Sequence, residues 1–150
     1  MKHEPFAPKR LTDLKPVEAR LITLLRHVNA HRAPQRAIWS DLRRDMTFKR
    51  ARSCWMAASN MLDLLNSHGW QPAPLSAPRC KLLSQHEQTL VLFVLSATEQ
   101  RREEAMEQAL FLIQPHKMPE LVKQAERLGM PLLCADCKRR ILGDRTLTFQ

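Results

Sequence analysis

Residues 84–98 read SQHEQTLVLFVLSAT, and this stretch decides whether the fold is helical or stranded. Ser84 and Glu87 have the spacing of a capping box, in which the serine hydroxyl accepts a hydrogen bond from the third helical amide and the glutamate accepts one from the capping amide. The box favours a helix for the apolar run at residues 90–95. Because that run places apolar side chains on every face, we expect a helix buried nearly all round, at the centre of the domain.

Apolar residues recur at helical spacing upstream of this stretch. Steps of three and four predict one helix over residues 13–32 and a short one over residues 34–45. A third helix has the most regular apolar stripe in the chain, with Thr47 as its N-terminal cap and Gly69 at its end. The N-terminal half is therefore expected to hold three helices.

Two or three further helices are predicted downstream of the apolar run. Residues 96–99, Ser-Ala-Thr-Glu, can cap a new helix, unless the preceding helix continues with a bend. The inner face of that helix is expected to be Met106, Ala109, Leu110 and Ile113. A helix between Pro119 and Gly129 follows, with proline in its first turn and glycine behind its end. The last residues form either a short helix over residues 131–142 or a metal-binding turn.

Each amphipathic helix needs another helix to cover its apolar stripe, and helix-on-helix layering achieves this without strands. We therefore predict an all-α protein, a single compact bundle of six to seven helices with a basic, helix-turn-helix-like N-terminal half. The one candidate for a strand is residues 146–149. The predicted organisation is a flexible basic arm (1–12) and one helical domain (13–150), made of a three-helix half (13–69), a Pro-rich linker (70–83), a helical half (84–143) and a tail (144–150).

Positive charge is concentrated in the N-terminal half. The chain has 24 Lys+Arg against 15 Asp+Glu, a net charge of +9, and residues 1–70 hold 13 of these cations with only 6 anions. Eight basic residues, Arg26 among them, lie within residues 26–52. Phosphate neutralisation requires cations at this density, because each contact to a phosphate can release a condensed counterion. The charge therefore predicts a polyanionic partner.

The most basic segment also has the outline of a helix-turn-helix. In that motif a short helix, a break and a second helix present the N-terminal residues of the second helix to base edges. With Phe48, Ala51 and Trp55 turned inward, the outer face offers cations and hydrogen-bonding side chains. The candidate nucleic-acid-binding residues are Arg43, Arg44, Lys49, Arg50, Arg52, Ser53 and Asn60. A solvated face or a docking surface for an acidic protein is the alternative.

Cys134 and Cys137 have the two-thiolate spacing of a zinc knuckle, and the cations at residues 138–140 would help to keep the thiolates deprotonated. A structural zinc needs four ligands, and no second pair follows in the sequence. Further ligands could come only through tertiary contact, from Cys54, Cys80, His86 or His116. The alternative is two ordinary cysteines in a terminal helix, with no cofactor at all.

Several function classes are not expected. The basic start has no apolar run behind it, so a secretory signal is not expected. The longest apolar stretch is far shorter than the roughly 20 residues that cross a bilayer, so a membrane span is not expected either. Three glycines leave few positions for phosphate-cradling loops, and no nucleophile motif or P-loop is present, so we do not expect an enzyme. The core is the expected place for the tryptophans, with base stacking open to Trp70 if it is exposed.

The sequence therefore predicts a small cytoplasmic protein that binds nucleic acid, DNA in particular, and regulates transcription. Docking would be electrostatic, through the basic helical face. The alternative is a non-enzymatic adaptor that binds an acidic protein partner and whose C-terminal helices form a homodimer or another interface.

Overall fold

The computed structural model describes residues 9–31, 34–71 and 75–148, with side chains described as far as Cys137. This part of the chain confirms the predicted all-α compact bundle. Short 3₁₀ turns at Leu11–Asp13 and Pro115–Lys117 and two-residue strands β1 (Lys9–Arg10) and β2 (Leu82–Leu83) accompany the helices. The α-helices are α1 (Pro16–Ala30), α2 (Arg36–Asp45), α3 (Phe48–His68), α4 (Gln85–Thr98), α5 (Arg102–Leu112) and α6 (Met118–Thr148).

The bundle is built around α6 rather than around α4. α6 packs against α1, α3, α4 and α5, and its residues Leu121, Ala125 and Leu128 are completely buried. α4 begins with the predicted capping box, in which Ser84 Oγ accepts a hydrogen bond from Glu87 N at 3.1 Å. Leu92 on α4 is 54% exposed, however, so the prediction that this helix is buried nearly all round is wrong. One side of α4 faces solvent.

Gly129 lies inside a helix and does not end one, contrary to the sequence prediction. α6 continues through Gly129 and Pro131 to Thr148, so a separate terminal helix, a turn at the cysteines, a tail from residue 144 and a strand at residues 146–148 are all absent from the described chain. A Cβ on Gly129 would collide with Thr98 Oγ1 and lie 3.2 Å from Val94 Cγ1. The missing side chain therefore allows α6 to pass directly against α4.

The predicted cap at residues 96–99 is also wrong. Ser96 and Thr98 are buried within α4, and Gln100, with φ at 63°, lies in the turn that leads to α5. Only half of the predicted inner face of α5, Ala109 and Ile113, is buried. Met106 and Leu110 are exposed, and the buried residues are Ala105, Ala109, Leu112 and Ile113.

Thr47 and Gly69 bound α3 as the sequence predicts. Thr47 Oγ1 accepts a hydrogen bond from Arg50 N at 3.3 Å. Gly69 has φ at −68°, so its role is to leave space, because a Cβ there would collide with the Leu65 carbonyl oxygen. Gly69 forms an antiparallel bridge with Ile113, which brings the end of α3 to the end of α5.

Order begins earlier than the predicted start near residue 13. β1 pairs antiparallel with β2, with Lys9 opposite Leu83 and Arg10 opposite Leu82, and Leu11 N donates to the Lys81 carbonyl oxygen at 3.0 Å. The described end of the predicted arm is thus held by backbone hydrogen bonds. The rest of that arm, residues 1–8, lies outside the described residues.

A buried ion pair joins α1, α4 and the segment before α4. Arg26 is 1% exposed and Glu87 is completely buried. The guanidinium donates to the carboxylate twice, from Nε to Oε2 at 2.7 Å and from Nη2 to Oε1 at 2.9 Å. Arg26 also donates to the carbonyl oxygens of Cys80 and Leu82, at 2.6 and 2.8 Å. The end of the predicted linker is therefore fastened to α1.

Glu87 accepts further hydrogen bonds, from Ser84 N at 3.0 Å and Ser76 Oγ at 3.1 Å. Burial by itself raises the pKa of Glu87. The hydrogen bonds from Arg26, Ser84 and Ser76 and the guanidinium charge outweigh burial and hold that pKa below its ordinary value of 4.5. The carboxylate is therefore ionised at neutral pH.

Candidate nucleic-acid interface

Six exposed cations lie on α2 and on the first turns of α3. We refer to this set as the basic face; it consists of Arg36, Arg43, Arg44, Lys49, Arg50 and Arg52. Arg43 and Arg44 occupy the last turn of α2, where cations favour the negative end of the helix dipole. Lys49 and Arg50 stand instead in the first turn of α3, which has no acidic residue. Because a helix N-terminus carries partial positive charge, this is a place that favours a bound anion.

The two carboxylates of α2 are held by a cation from outside the basic face. Arg20 of α1 forms ion pairs with Asp41 at 3.0 Å and with Asp45 at 3.2 Å, and its Nη2 donates to the Asp41 carbonyl oxygen at 2.7 Å. The Arg20 side chain is largely buried between the two helices. The acidic residues of α2 are thus neutralised locally, and the positive charge of the basic face is left uncompensated by them.

Arg20 is also a main attachment of α2 to the bundle, because this ten-residue helix buries only Ile38 and Leu42. We expect Arg20→Met to destabilise α2 by about 1–3 kcal/mol, the cost of leaving charge-assisted hydrogen bonds unmade. Hydrogen exchange should then quicken in α2 while amides of α4 and α6 keep their protection. Arg44→Met makes the same kind of substitution at an exposed position of α2 itself and is the matched control. Unchanged exchange in α2 of the Arg20 variant would contradict this role.

Phe48 is 56% exposed, so the prediction that it turns inward is wrong. It is the first residue of α3, and α2 covers it on one side. Its ring meets Trp39 edge-on, with centroids 5.5 Å apart, and the Arg43 guanidinium lies 5.8 Å from the ring centroid. Ala51 and Trp55 are buried as predicted, and so are the other apolar residues that continue the same stripe along α3: Cys54, Ala58, Met61, Leu62 and Leu65. An aromatic ring therefore lies exposed among the cations.

Two residues that the sequence analysis considered for nucleic-acid binding, Arg26 and Asn60, lie apart from the basic face. Arg26 belongs to the buried pair with Glu87 and is not available at the surface. Asn60, further along α3, lines a surface pocket together with Asp63 and Glu120, whose charges disfavour a phosphate. Ser53 is exposed beside Arg52. The other predicted nucleic-acid-binding residues are exposed on the last turn of α2 and the first turns of α3.

The cysteines are spread over three parts of the fold. Cys134 and Cys137 lie one turn apart on α6, both exposed. Cys54 is buried, with Sγ 3.5 Å from the Leu128 carbonyl oxygen, and burial raises the pKa of its thiol to about 12. Cys80 lies in the segment fastened to Arg26. Among the residues that the structure describes, no group of three or more His, Cys, Asp or Glu is positioned to hold a metal ion.

No protein-family model matches this chain, and neither a curated protein nor a solved structure matches it. In the described part of the chain, no helix combines the length and the apolar character needed to cross a membrane.

Proposed function

We propose that this protein binds nucleic acid, with DNA as the expected form, through contacts of the basic face to phosphates. The observation that carries the proposal is the exposure of six cations on two consecutive helices, while both carboxylates of α2 are paired with Arg20. Five of the six are arginine, whose planar guanidinium can bind a phosphate with two parallel hydrogen bonds. The resulting field would favour a polyanion over a neutral surface.

α3 is the element that would approach the bases. In a helix-turn-helix arrangement the N-terminal turns of the second helix enter the major groove and the preceding helix contacts the backbone. Arg50, Arg52 and Ser53 stand on those turns of α3, and Arg43 and Arg44 on the preceding helix. A protein docked in this way acts by occupying its DNA site, which is how many transcription regulators work.

The test is fluorescence anisotropy of a labelled DNA duplex across a salt series, about 50 to 200 mM. Binding by the native chain should weaken linearly when the logarithm of affinity is plotted against the logarithm of salt concentration. We expect the triple variant K49E/R50E/R52E to bind at least tenfold more weakly, with a slope shallower by about 0.9 for each phosphate that the variant no longer neutralises. All three residues are exposed, so folding should be retained.

A second triple variant, R102E/K123E/R127E, makes the same change in net charge at exposed positions of α5 and α6 and is the matched control. It should lose much less affinity, because the contacts are local to the basic face. Equal losses in the two variants would mean that only the overall charge acts. Absence of duplex binding at the lowest salt would overturn the proposal and leave the basic face to an acidic protein partner.

A further inference from the structure

A cavity of about 470 Å³ opens between the first turns of α4 and the last turns of α5. It lies away from the basic face, on other elements of the bundle. The Gly69–Ile113 bridge and the hydrogen bond from Trp70 N to the Leu112 carbonyl oxygen, at 3.4 Å, hold its edge in place. The polar lining consists of Gln71, Gln85, Gln108, His86 and Thr89.

Two polar atoms of this lining have no partner. His86 Nε2 and Gln108 Oε1 are buried and make no hydrogen bond to any described residue. A buried polar atom left unpaired is costly, so native structures nearly always satisfy such atoms. Each of these two atoms exposes less than 1 Å² to solvent, so a group bound in the cavity would reach them only after the two side chains rotate toward it. Their lack of partners points to a ligand that completes their hydrogen bonding.

Phe111 supplies an apolar surface at the same cavity. Its side chain is 79% exposed, the highest fraction among the large hydrophobic residues that the structure describes. The neighbouring residue is held in place, since the Leu110 carbonyl oxygen accepts a hydrogen bond from Trp70 Nε1 at 2.8 Å. Trp70 itself is 57% exposed. A flat ring would find a stacking partner in Phe111, in the same cavity that His86 and Gln108 line.

The lining residues carry no full charge. None of them is Asp, Glu, Lys or Arg, and burial lowers the pKa of His86 in spite of the opposing effect of Glu87, so the imidazole is neutral at pH 7. A charged ligand would lose hydration here without gaining a counter-charge. Carboxamides, by contrast, present a donor and an acceptor side by side and match the edge of a base such as adenine.

We infer that this cavity binds a nucleobase, stacked on Phe111 with its polar edge toward His86 and Gln108. The base is a neutral, planar heterocycle with adjacent donors and acceptors. It can belong to a free nucleoside or to an unpaired nucleotide of a strand. The inference does not depend on the basic face, because no residue is shared between the two sites.

The experiment is a titration of the full ¹⁵N-labelled chain with adenosine, guanosine, cytidine and uridine, followed by amide and imidazole NMR shifts. At least one nucleoside should shift signals of α4 and α5 around the cavity and alter the His86 ring resonances. Phe111→Ala should weaken that binding about 5- to 100-fold, the range expected when base–aromatic stacking is lost. Leu110→Ala removes an exposed apolar side chain outside the cavity and should leave the affinity unchanged.

Gln108→Leu separates a ligand-binding role from a structural one. It removes an unpaired buried atom, so it should raise thermal stability while weakening nucleoside binding. A short single-stranded oligonucleotide, titrated with and without excess adenosine, distinguishes the two sources of the base. Competition between them identifies a strand nucleotide as an occupant, and adenosine binding without oligonucleotide binding identifies a free nucleoside.

Three results would overturn the inference. The first is the absence of shifts at the cavity with every nucleoside. The second is unchanged affinity in Phe111→Ala. The third is equal binding of toluene, which has a flat ring but no donors or acceptors.

Discussion

Replacing Glu87 with glutamine is expected to lower the free energy of unfolding by about 3–5 kcal/mol, the usual cost of removing one partner of a buried ion pair. The variant keeps nearly the same volume and leaves the Arg26 guanidinium buried without a counter-charge. It also weakens acceptance of the hydrogen bonds from Ser76 and Ser84. Urea unfolding monitored by circular dichroism would measure the loss, and a stability equal to that of the native chain would contradict the role assigned to the pair.

The double variant R26M/E87M is the control for that result. It removes both charges together, and buried pairs replaced by apolar residues are often as stable as the original. Some loss should remain, because the carbonyl oxygens of Cys80 and Leu82 lose their donor. A double variant less stable than Glu87→Gln would mean that the pair matters through its shape and not through its charge.

Acid provides a second check on the same pair. Because the folded-state pKa of Glu87 lies below its ordinary value of 4.5, the carboxylate contributes stability that is fully present above that value. This stability is lost as the pH falls below 4.5 and through the lower, folded-state pKa. Glu87→Gln has no such proton to bind, so its unfolding free energy should vary less with pH over that acidic range.

Replacing Gly129 with alanine is expected to destabilise the protein by about 1–3 kcal/mol, the typical cost of overpacking a core. The sign of this stability change distinguishes the two cases, because Gly→Ala in the middle of an ordinary helix stabilises the protein by roughly 0.5–1 kcal/mol. Here the added methyl group meets Thr98 Oγ1 and Thr98 Cβ, where α6 crosses α4. Thermal unfolding would measure the change.

The double variant G129A/T98A tests the stated cause. Removing Thr98 Oγ1 takes away the closest atom, so the double variant should be more stable than an additive sum of the two single changes. Purely additive losses, or a Gly129→Ala protein with a raised melting temperature, would show that the crossing of α4 and α6 has room to spare.

Local signals explain what the sequence predicted well. The capping box at Ser84 and Glu87, the Thr47 cap and the proline at the start of α6 act within one turn of helix, and each lies where the pattern puts it. The all-α class follows from the same helical spacing. The prediction that Gly129 ends a helix was wrong because a glycine that ends a helix and a glycine that admits a neighbouring helix look alike in a single sequence.

The prediction for the inner face of α5 was partly wrong for a different reason. The predicted face joined two adjacent apolar stripes, one through Met106 and Leu110 and one through Ala109 and Ile113. Periodicity alone does not choose between them, whereas the close approach of neighbouring helices buries the stripe with Ala105 and Ala109 and leaves Met106 and Leu110 exposed. Spacing determines the period of a helix, but packing determines its phase.

The cations of the candidate site could be found from composition and helical spacing, whereas their environment could not. Arg26 looks like the other basic residues in the sequence, and its carboxylate partner is 61 positions away. Arg20 neutralises Asp41 across 21 positions. Phe48 is exposed because it occupies the first turn of α3, ahead of the buried part of the stripe. Long-range partners therefore decide which cations face solvent.

The hydrogen bonds made by Arg26 also affect the order in which the chain folds. They join residues 54 to 61 positions apart, so the chain between them, with α2 and α3, must close into a loop before any of these bonds can form. An arginine that entered the apolar interior earlier would be an uncompensated charge. We therefore expect the two ends of that loop to become native together, so that α1 and the start of α4 fold in a single cooperative step.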